Sequence, residues 1–239
     1  MKVVILCGGK GTRLREKTES IPKPLVEIGD YPILWHILKI YTAYGFDDFI
    51  LCLGYKGQMI KEYFNSKNMA LNPDSERWKI TFVETGEETN TGGRIKKVGS
   101  FIKEESFMVT YGDGLADLNI KKLVEFHQAH GKIGTLTVVK PSLPFGLLEV
   151  QEDGRVSLFH EKPLLNQWVN GGFFIIRKKF LDYLGENDVL EETPLMRLAQ
   201  EGQLIAFRHS SFWKCMDPYK DTVLLNELWA SGKAPWRIW

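Results

Sequence analysis

The chain has 239 residues, 44% hydrophobic and 26% charged, a composition that excludes disordered and fibrous classes. Its 31 Lys and Arg balance 30 Asp and Glu, for a net charge of +1, so charge gives no reason to expect nucleic acid or an anionic membrane as partner. No apolar run approaches the ~20 residues of a membrane helix, and Val3 to Cys7 is too short for a signal-peptide core. With three cysteines and no Cys-x-x-Cys spacing, a soluble cytoplasmic protein is expected.

In chain order, Val3-Val4-Ile5-Leu6-Cys7 is a continuous apolar run closed by a glycine pair, the pattern of a strand buried on both faces of a parallel sheet. Apolar residues at helical spacing predict a helix over Pro32 to Tyr44, ended by Gly45. A strand over Phe49 to Leu53, a helix over Gly57 to Phe64 and a strand over Ile80 to Val83 follow. The polar stretch Asn65 to Arg77 reads as a mobile surface loop. Next come a helix over Gly92 to Ile102, a strand over Phe107 to Thr110 and a helix over Ile120 to His130. This alternation predicts an α/β class with a Rossmann-like, doubly wound mixed sheet and ligands at the carboxyl ends of its strands. From Gly134 the pattern turns β-rich: Thr135 to Val139, Gly146 to Val150, Val156 to His160 and Gly172 to Ile176, with a turn at Glu152-Asp153-Gly154. Helices over Pro194 to Glu201 and Tyr219 to Ser231 complete the reading, which contains no repeat or linker and predicts one domain over 1–239.

The chemistry-bearing residues begin at Gly8-Gly9-Lys10-Gly11-Thr12-Arg13. Glycines let backbone N–H groups approach phosphate oxygens, Thr12 adds a hydroxyl and Arg13 a planar cation. Neither the Walker spacing nor the dinucleotide fingerprint is met, because Gly11 separates Lys10 from Thr12 and Arg13 stands where glycine is needed. Pro22-Lys23-Pro24 holds one cation in a stiff backbone, and Gly112-Asp113-Gly114 follows a strand with little bulk around a carboxylate. Thr91-Gly92-Gly93-Arg94 offers close backbone and a cation, Glu161-Lys162-Pro163 a charge pair after a strand, and Asn170-Gly171-Gly172 an amide beside an aromatic strand. Each of these, taken singly, also reads as a turn or a solvated charge, and Asp217 before Pro218 also reads as a helix N-cap.

In combination, Leu6-Cys7-Gly8-Gly9-Lys10-Gly11-Thr12-Arg13-Leu14 with Pro22-Lys23-Pro24 resembles the signature of the sugar nucleotidyltransferases, departing at Cys7, where alanine is common. Thr110-Tyr111-Gly112-Asp113-Gly114, Thr91-Gly92-Gly93-Arg94 and the ending Gly232 to Trp236 resemble the branch that uses cytidine nucleotides, so the likeness spans nearly the whole chain. It implies the nucleotide-diphospho-sugar transferase fold, with a nucleotide-binding half over 1–130 and a small β-rich sugar-binding half over 131–239. It implies transfer of a cytidylyl group from CTP to α-D-glucose 1-phosphate, giving CDP-glucose and pyrophosphate with Mg2+. Leu6, Gly8, Gly9, Gly11, Thr12, Arg13, Lys23, Thr91, Gly92, Arg94 and Gly112 would bind nucleotide. Glu161, Lys162, Asn170 and Gly171 would bind the sugar phosphate, and Asp113 and Asp217 the metal. Arg13, Lys23, Asp113 and Lys162 would carry catalysis. A homo-oligomer is implied too, although the stretch from Asn65 to Trp78, which contacts a neighbouring subunit in that branch, is shorter here. Glu191 and Glu192 replace a tryptophan-containing segment and read either as sugar ligands or as acids of a helix's first turn. The alternatives are a uridylyl- or thymidylyltransferase, a cytidylyltransferase for another phosphorylated small molecule, and a non-catalytic sugar-nucleotide sensor.

Overall fold

The computed structural model describes residues 1–11, 18–66 and 77–239. Four parallel strands form its centre: β1 (Val3–Leu6), β4 (Asp48–Leu53), β5 (Lys79–Glu84) and β6 (Ser106–Tyr111), with β1 lying between β4 and β6. Two short strands, β2 (Glu27–Ile28) and β3 (Tyr31–Pro32), pair with each other outside this sheet. The sheet continues through β11 (Val169–Arg177), antiparallel to both β6 and β8 (Gly134–Val139), and ends on β12 (Leu204–Arg208), parallel to β8. The order is therefore β12-β8-β11-β6-β1-β4-β5. Strands from both halves of the chain thus share one mixed sheet, the α/β class that alternating apolar runs and helical periods foretold.

Alternation along the strands builds a core on each face. Val3 and Ile5 of β1 point to one side, with Phe49, Leu51, Met108, Phe173 and Ile175 of the neighbouring strands. Val4 and Leu6 point to the other, with Ile50, Val109, Phe174 and Ile176. Helix α1 (Ile33–Thr42) lies on the first face, and all of its ten residues are buried, which is why its sequence is apolar all round rather than on one stripe. Helix α2 (Gly57–Asn65) packs there through Ile60 and Phe64. Helix α3 (Thr91–Val98) covers the opposite face through Ile95 and Val98, and a 3-10 turn, Gly99–Phe101, prolongs it as the residues before Ile102 tighten. Helix α4 (Ile120–His130) returns to the first face, and Asn119 caps it by accepting from the Lys122 N–H at 3.0 Å.

Beyond the sheet, β9 (Leu147–Val150) and β10 (Val156–His160) form a hairpin of their own, joined where Gly154 takes φ +85°. Helix α5 (Thr193–Gln200) and helix α6 (Tyr219–Ala230) complete the chain. The closing segment returns to α1: Trp236 is fully buried and its indole N–H donates to His36 Nδ1 at 3.3 Å, while His36 Nε2 donates to the Ile28 carbonyl at 2.9 Å. Burial lowers the His36 pKa to about 4, so the ring is neutral at pH 7.

Five strands escaped the sequence reading: β2 and β3 are two residues each and pair only with each other. Leu204–Arg208 is short, half-exposed and recruited by β8 from far along the chain. Likewise β7 (Gly114–Ala116) and β13 (Trp213–Cys215) are three residues each and exist only as each other's partners. Among the described residues no helix is long and apolar enough to cross a membrane.

Candidate active site

The order β5-β4-β1-β6 reverses direction at β1, and in open α/β sheets the crevice outside the carboxyl ends of the strands at such a switch point is where ligands bind. A cavity of about 670 Å³ lies there, reached by the Gly8 to Gly11 loop after β1, by Tyr111 closing β6 with Gly112 and Asp113 after it, and by Glu87 to Thr91 after β5. Leu6, Gly8, Gly9, Gly11, Lys23, Thr91, Arg94, Gly112, Asp113 and Asp217, all expected to bind nucleotide or metal, line it together. Thr12 and Arg13 lie outside the described residues.

Lys23 sits in a 3-10 turn, Lys23–Leu25, entered from Pro22 at φ −68° and stiffened by Pro24. Its buried ammonium donates to Asp113 Oδ2 at 2.7 Å and to Asp217 Oδ1 at 2.9 Å. Burial opposes the charge, but the carboxylates of Asp113 and Asp217 outweigh it and raise the Lys23 pKa. The β7–β13 ladder brings the two aspartates together: Cys215 is opposite Gly114, and the Met216 N–H donates to the Asp113 carbonyl at 2.8 Å. Asp217 is therefore not a helix N-cap; Pro218 occupies that position without a side-chain cap, and the carboxylate faces Lys23. No sequence period announces this pairing, because a three-residue ladder carries no pattern.

The pair also fits a divalent metal. Ligand atoms of Asp113, Asp217 and Cys215 lie within 4.8 Å of one another on a partly open wall. Two hard carboxylates beside a phosphate cavity suit an oxygen-seeking ion that keeps phosphate and water as its other ligands. The Cys215 thiol is a soft donor that suits such a hard ion less well than the two carboxylates do.

Arg94 differs from the cation expected to reach for phosphate or base. Its guanidinium is turned into the protein, with Nη1 donating to the Leu53 carbonyl at 3.1 Å, Thr85 Oγ1 at 2.6 Å and the Gly86 carbonyl at 2.8 Å. Nη2 donates to the Gly8 carbonyl at 3.0 Å and the Glu87 carbonyl at 3.2 Å. Nor are the first N–H groups of α3 left for a base edge: those of Gly92 and Gly93 donate to the Asp188 carbonyl at 2.8 and 3.1 Å. Sequence reasoning missed this contact because its acceptor is a backbone oxygen some hundred residues away.

Glu191 forms the facing wall. Tyr111 donates its hydroxyl to Glu191 Oε1, and Thr91 Oγ1 donates to Oε2 at 2.7 Å. Asn170 does not line the cavity but steadies that wall, its amide donating to the Tyr111 oxygen at 3.0 Å while its own oxygen accepts from the Gly172 N–H at 2.8 Å. The Gly171 carbonyl accepts from the Trp213 indole at 2.7 Å. Glu161 and Lys162 stand apart from the cavity: both are largely exposed, 3.5 Å from each other, and Lys162 takes the left-handed φ of +47°.

The switch-point crevice, glycine loop and paired aspartates define a phosphate-handling α/β protein, and a nucleotidyl transferase family model matches residues 2–210. The chain belongs to that family. It is 48% identical, over the full length of both chains, to the glucose-1-phosphate cytidylyltransferase of Salmonella typhi. It is 47% identical, again over both full lengths, to a probable glucose-1-phosphate cytidylyltransferase of Bacillus subtilis. Among solved structures, HddC from Yersinia pseudotuberculosis superposes with a TM-score of 0.76 at 27% identity, covering 95% of this chain and 99% of that one.

Proposed function

We propose that the protein transfers a cytidylyl group from CTP to α-D-glucose 1-phosphate, releasing pyrophosphate and forming CDP-glucose. The observation that carries this reading is the 48% identity, over both full lengths, with a glucose-1-phosphate cytidylyltransferase. In the reaction a sugar-phosphate oxygen bonds to the α-phosphorus of CTP while the bond from that phosphorus to the bridging oxygen breaks, and its electron pair leaves with pyrophosphate. The second pKa of a phosphate is about 6, so the nucleophile is already ionised at neutral pH and no general base is required. What remains for the protein is alignment and charge.

In this reading Leu6, Gly8, Gly9, Gly11 and Gly112 bring the backbone against the triphosphate, while Thr12, Arg13 and Lys23 meet its oxygens. Thr91, Gly92 and Arg94 belong to the wall on the nucleotide side, and residues 1–130 form that half. In the half over 131–239, Lys162 meets the phosphate of glucose 1-phosphate, and Glu161, Asn170 and Gly171 serve its sugar. Asp113 and Asp217 hold Mg2+, which when bound neutralises phosphate oxygens and the departing pyrophosphate. Glu191 would repel a phosphate, so its carboxylate serves the hydroxyl-bearing part of a substrate. A homo-oligomer is consistent with the apolar side chains left exposed around the hairpin, Phe145, Val150, Phe159 and Leu164.

The test is pyrophosphate release measured with CTP, UTP, dTTP and GTP, each against a panel of sugar 1-phosphates. CTP with glucose 1-phosphate is expected to give the highest kcat/KM; a clear preference for UTP or dTTP would overturn the cytidylyl reading.

A further inference from the structure

The two aspartates read as metal ligands stand at one end of a ladder of three residue pairs, too short to be stable alone. On the β7 side, the Asp113 carbonyl accepts from the Met216 N–H at 2.8 Å. Asp217 lies beyond that last bond, and its own peptide is held from α6. Its N–H donates to Asp221 Oδ2 at 3.3 Å, while Asp221 Oδ1 pairs with the Lys214 ammonium at 2.7 Å. One carboxylate thus joins the middle of β13 to the residue two places past its end. The Asp221 N–H in turn donates to the Pro218 carbonyl at 2.9 Å, so the corner between strand and helix is pinned on both sides. Asp221 is 5% exposed, and neither it nor Lys214 lines the cavity. An acid in the first turn of α6 also answers the helix dipole. That role requires neither burial nor a lysine partner.

We propose that Asp221 is the positioning residue of the metal pair, acting on Asp217 through its peptide N–H and touching neither substrate nor ion. The Asp217 carboxylate has to lie where both Lys23 and an ion shared with Asp113 can reach it. A strand end that ran free would swing it away, and outer partners of this kind change metal affinity or activity by ~10- to 100-fold when removed. Burial of the Asp221 carboxylate is tolerated because Lys214 pairs with it; its other oxygen, on the Asp217 N–H, fixes the ligand. The inference rests on the reading of Asp113 and Asp217 as metal ligands.

Calorimetry of CTP binding with and without Mg2+, in the absence of sugar phosphate, gives the factor by which the ion strengthens the nucleotide. If the wild type shows no such gain, or Asp217→Asn keeps it, the metal reading fails and the proposal with it. Given a wild-type gain that Asp217→Asn loses, two variants in a Lys214→Met background decide the role of Asp221. Lys214→Met/Asp221→Asn removes both charges of the pair and keeps an oxygen for the Asp217 N–H, so its gain should stay within about 3-fold of wild type. Lys214→Met/Asp221→Leu has similar bulk and no acceptor. It should lose most of the gain and cut kcat by ~10- to 100-fold, with CTP affinity in the absence of Mg2+ within about 3-fold. A leucine variant that kept the gain would overturn the proposal with the metal reading intact. Equal losses in both variants would overturn it too, because a charge or dipole role moves them alike. Should Asp221→Leu fail to fold, Asp221→Ala in the same background serves, with the same outcomes.

Discussion

The cavity wall and the hairpin region apart from it are built differently. In the cavity wall, charges are already satisfied within the protein: Lys23 by Asp113 and Asp217, and Arg94 by its ring of carbonyls. At the end of the β9–β10 hairpin, Lys162 lies 3.5 Å from Glu161, and the hairpin exposes residues along both strands. Groups buried before any substrate arrives must be satisfied by the chain itself, because an unpaired buried charge is costly. Groups left in water need no such partner and lose little by waiting. The charges of the cavity wall are thus satisfied in advance, and those of the hairpin region rest in water.

The sharpest way to break that contrast is at its centre. Asp113→Asn should lower kcat by ~1,000-fold or more while leaving the melting temperature nearly unchanged; turnover close to normal would remove Asp113 from the mechanism. In the hairpin region, Lys162→Ala should raise the KM for glucose 1-phosphate by ~10- to 100-fold, with the KM for CTP held within about 3-fold. Equal rises in both constants would erase the distinction between the two regions.

Acid should loosen the scaffold under the cavity wall first. His36 ties α1 to the strand that follows the Lys23 turn, and its folded pKa of about 4 lies below the ordinary value of 6.5. The unfolded chain therefore binds the extra proton first, so stability is full above pH ~6.5 and falls as the pH drops towards 4, by about 2 kcal/mol at pH 5. Burial lowers the His127 pKa as well and acts in the same direction. Denaturant melts at pH 7 and 5 check this, and His36→Gln, which keeps a donor for the Ile28 carbonyl, should flatten the slope. The smallest effect on stability is expected at the hairpin, where Phe159 is 60% exposed. Phe159→Asp should change the unfolding free energy by no more than about 0.5 kcal/mol, yet shift the particle mass in light scattering if this surface joins subunits.

Much of the first half of the fold was legible in the sequence because it is local. Val3 to Leu6, the buried helix Ile33–Thr42 and the glycine loop each carry their pattern within a few residues. The Asp113–Asp217 pair was legible only through family resemblance, since the ladder that creates it joins three-residue strands about a hundred positions apart. Arg94 was visible as a residue but not in its orientation, because its partners are backbone carbonyls, which every residue carries and no sequence distinguishes. Glu191 was narrowed to two roles, and its hydrogen bonds to Tyr111 and Thr91 set it in the cavity wall.

The Asp188 carbonyl that receives the first N–H groups of α3 bears on how freely this architecture can be recombined. The helix end and the oxygen that seals it come from opposite halves of the chain, and Asn90 adds two further hydrogen bonds to Asn187. A hybrid joining residues 1–130 to the second half of a relative would keep the seal where the segment replacing residues 186–191 brings a backbone carbonyl to the same place. Exchange of the second half is therefore best attempted with residues 186–191 kept alongside the helix they close.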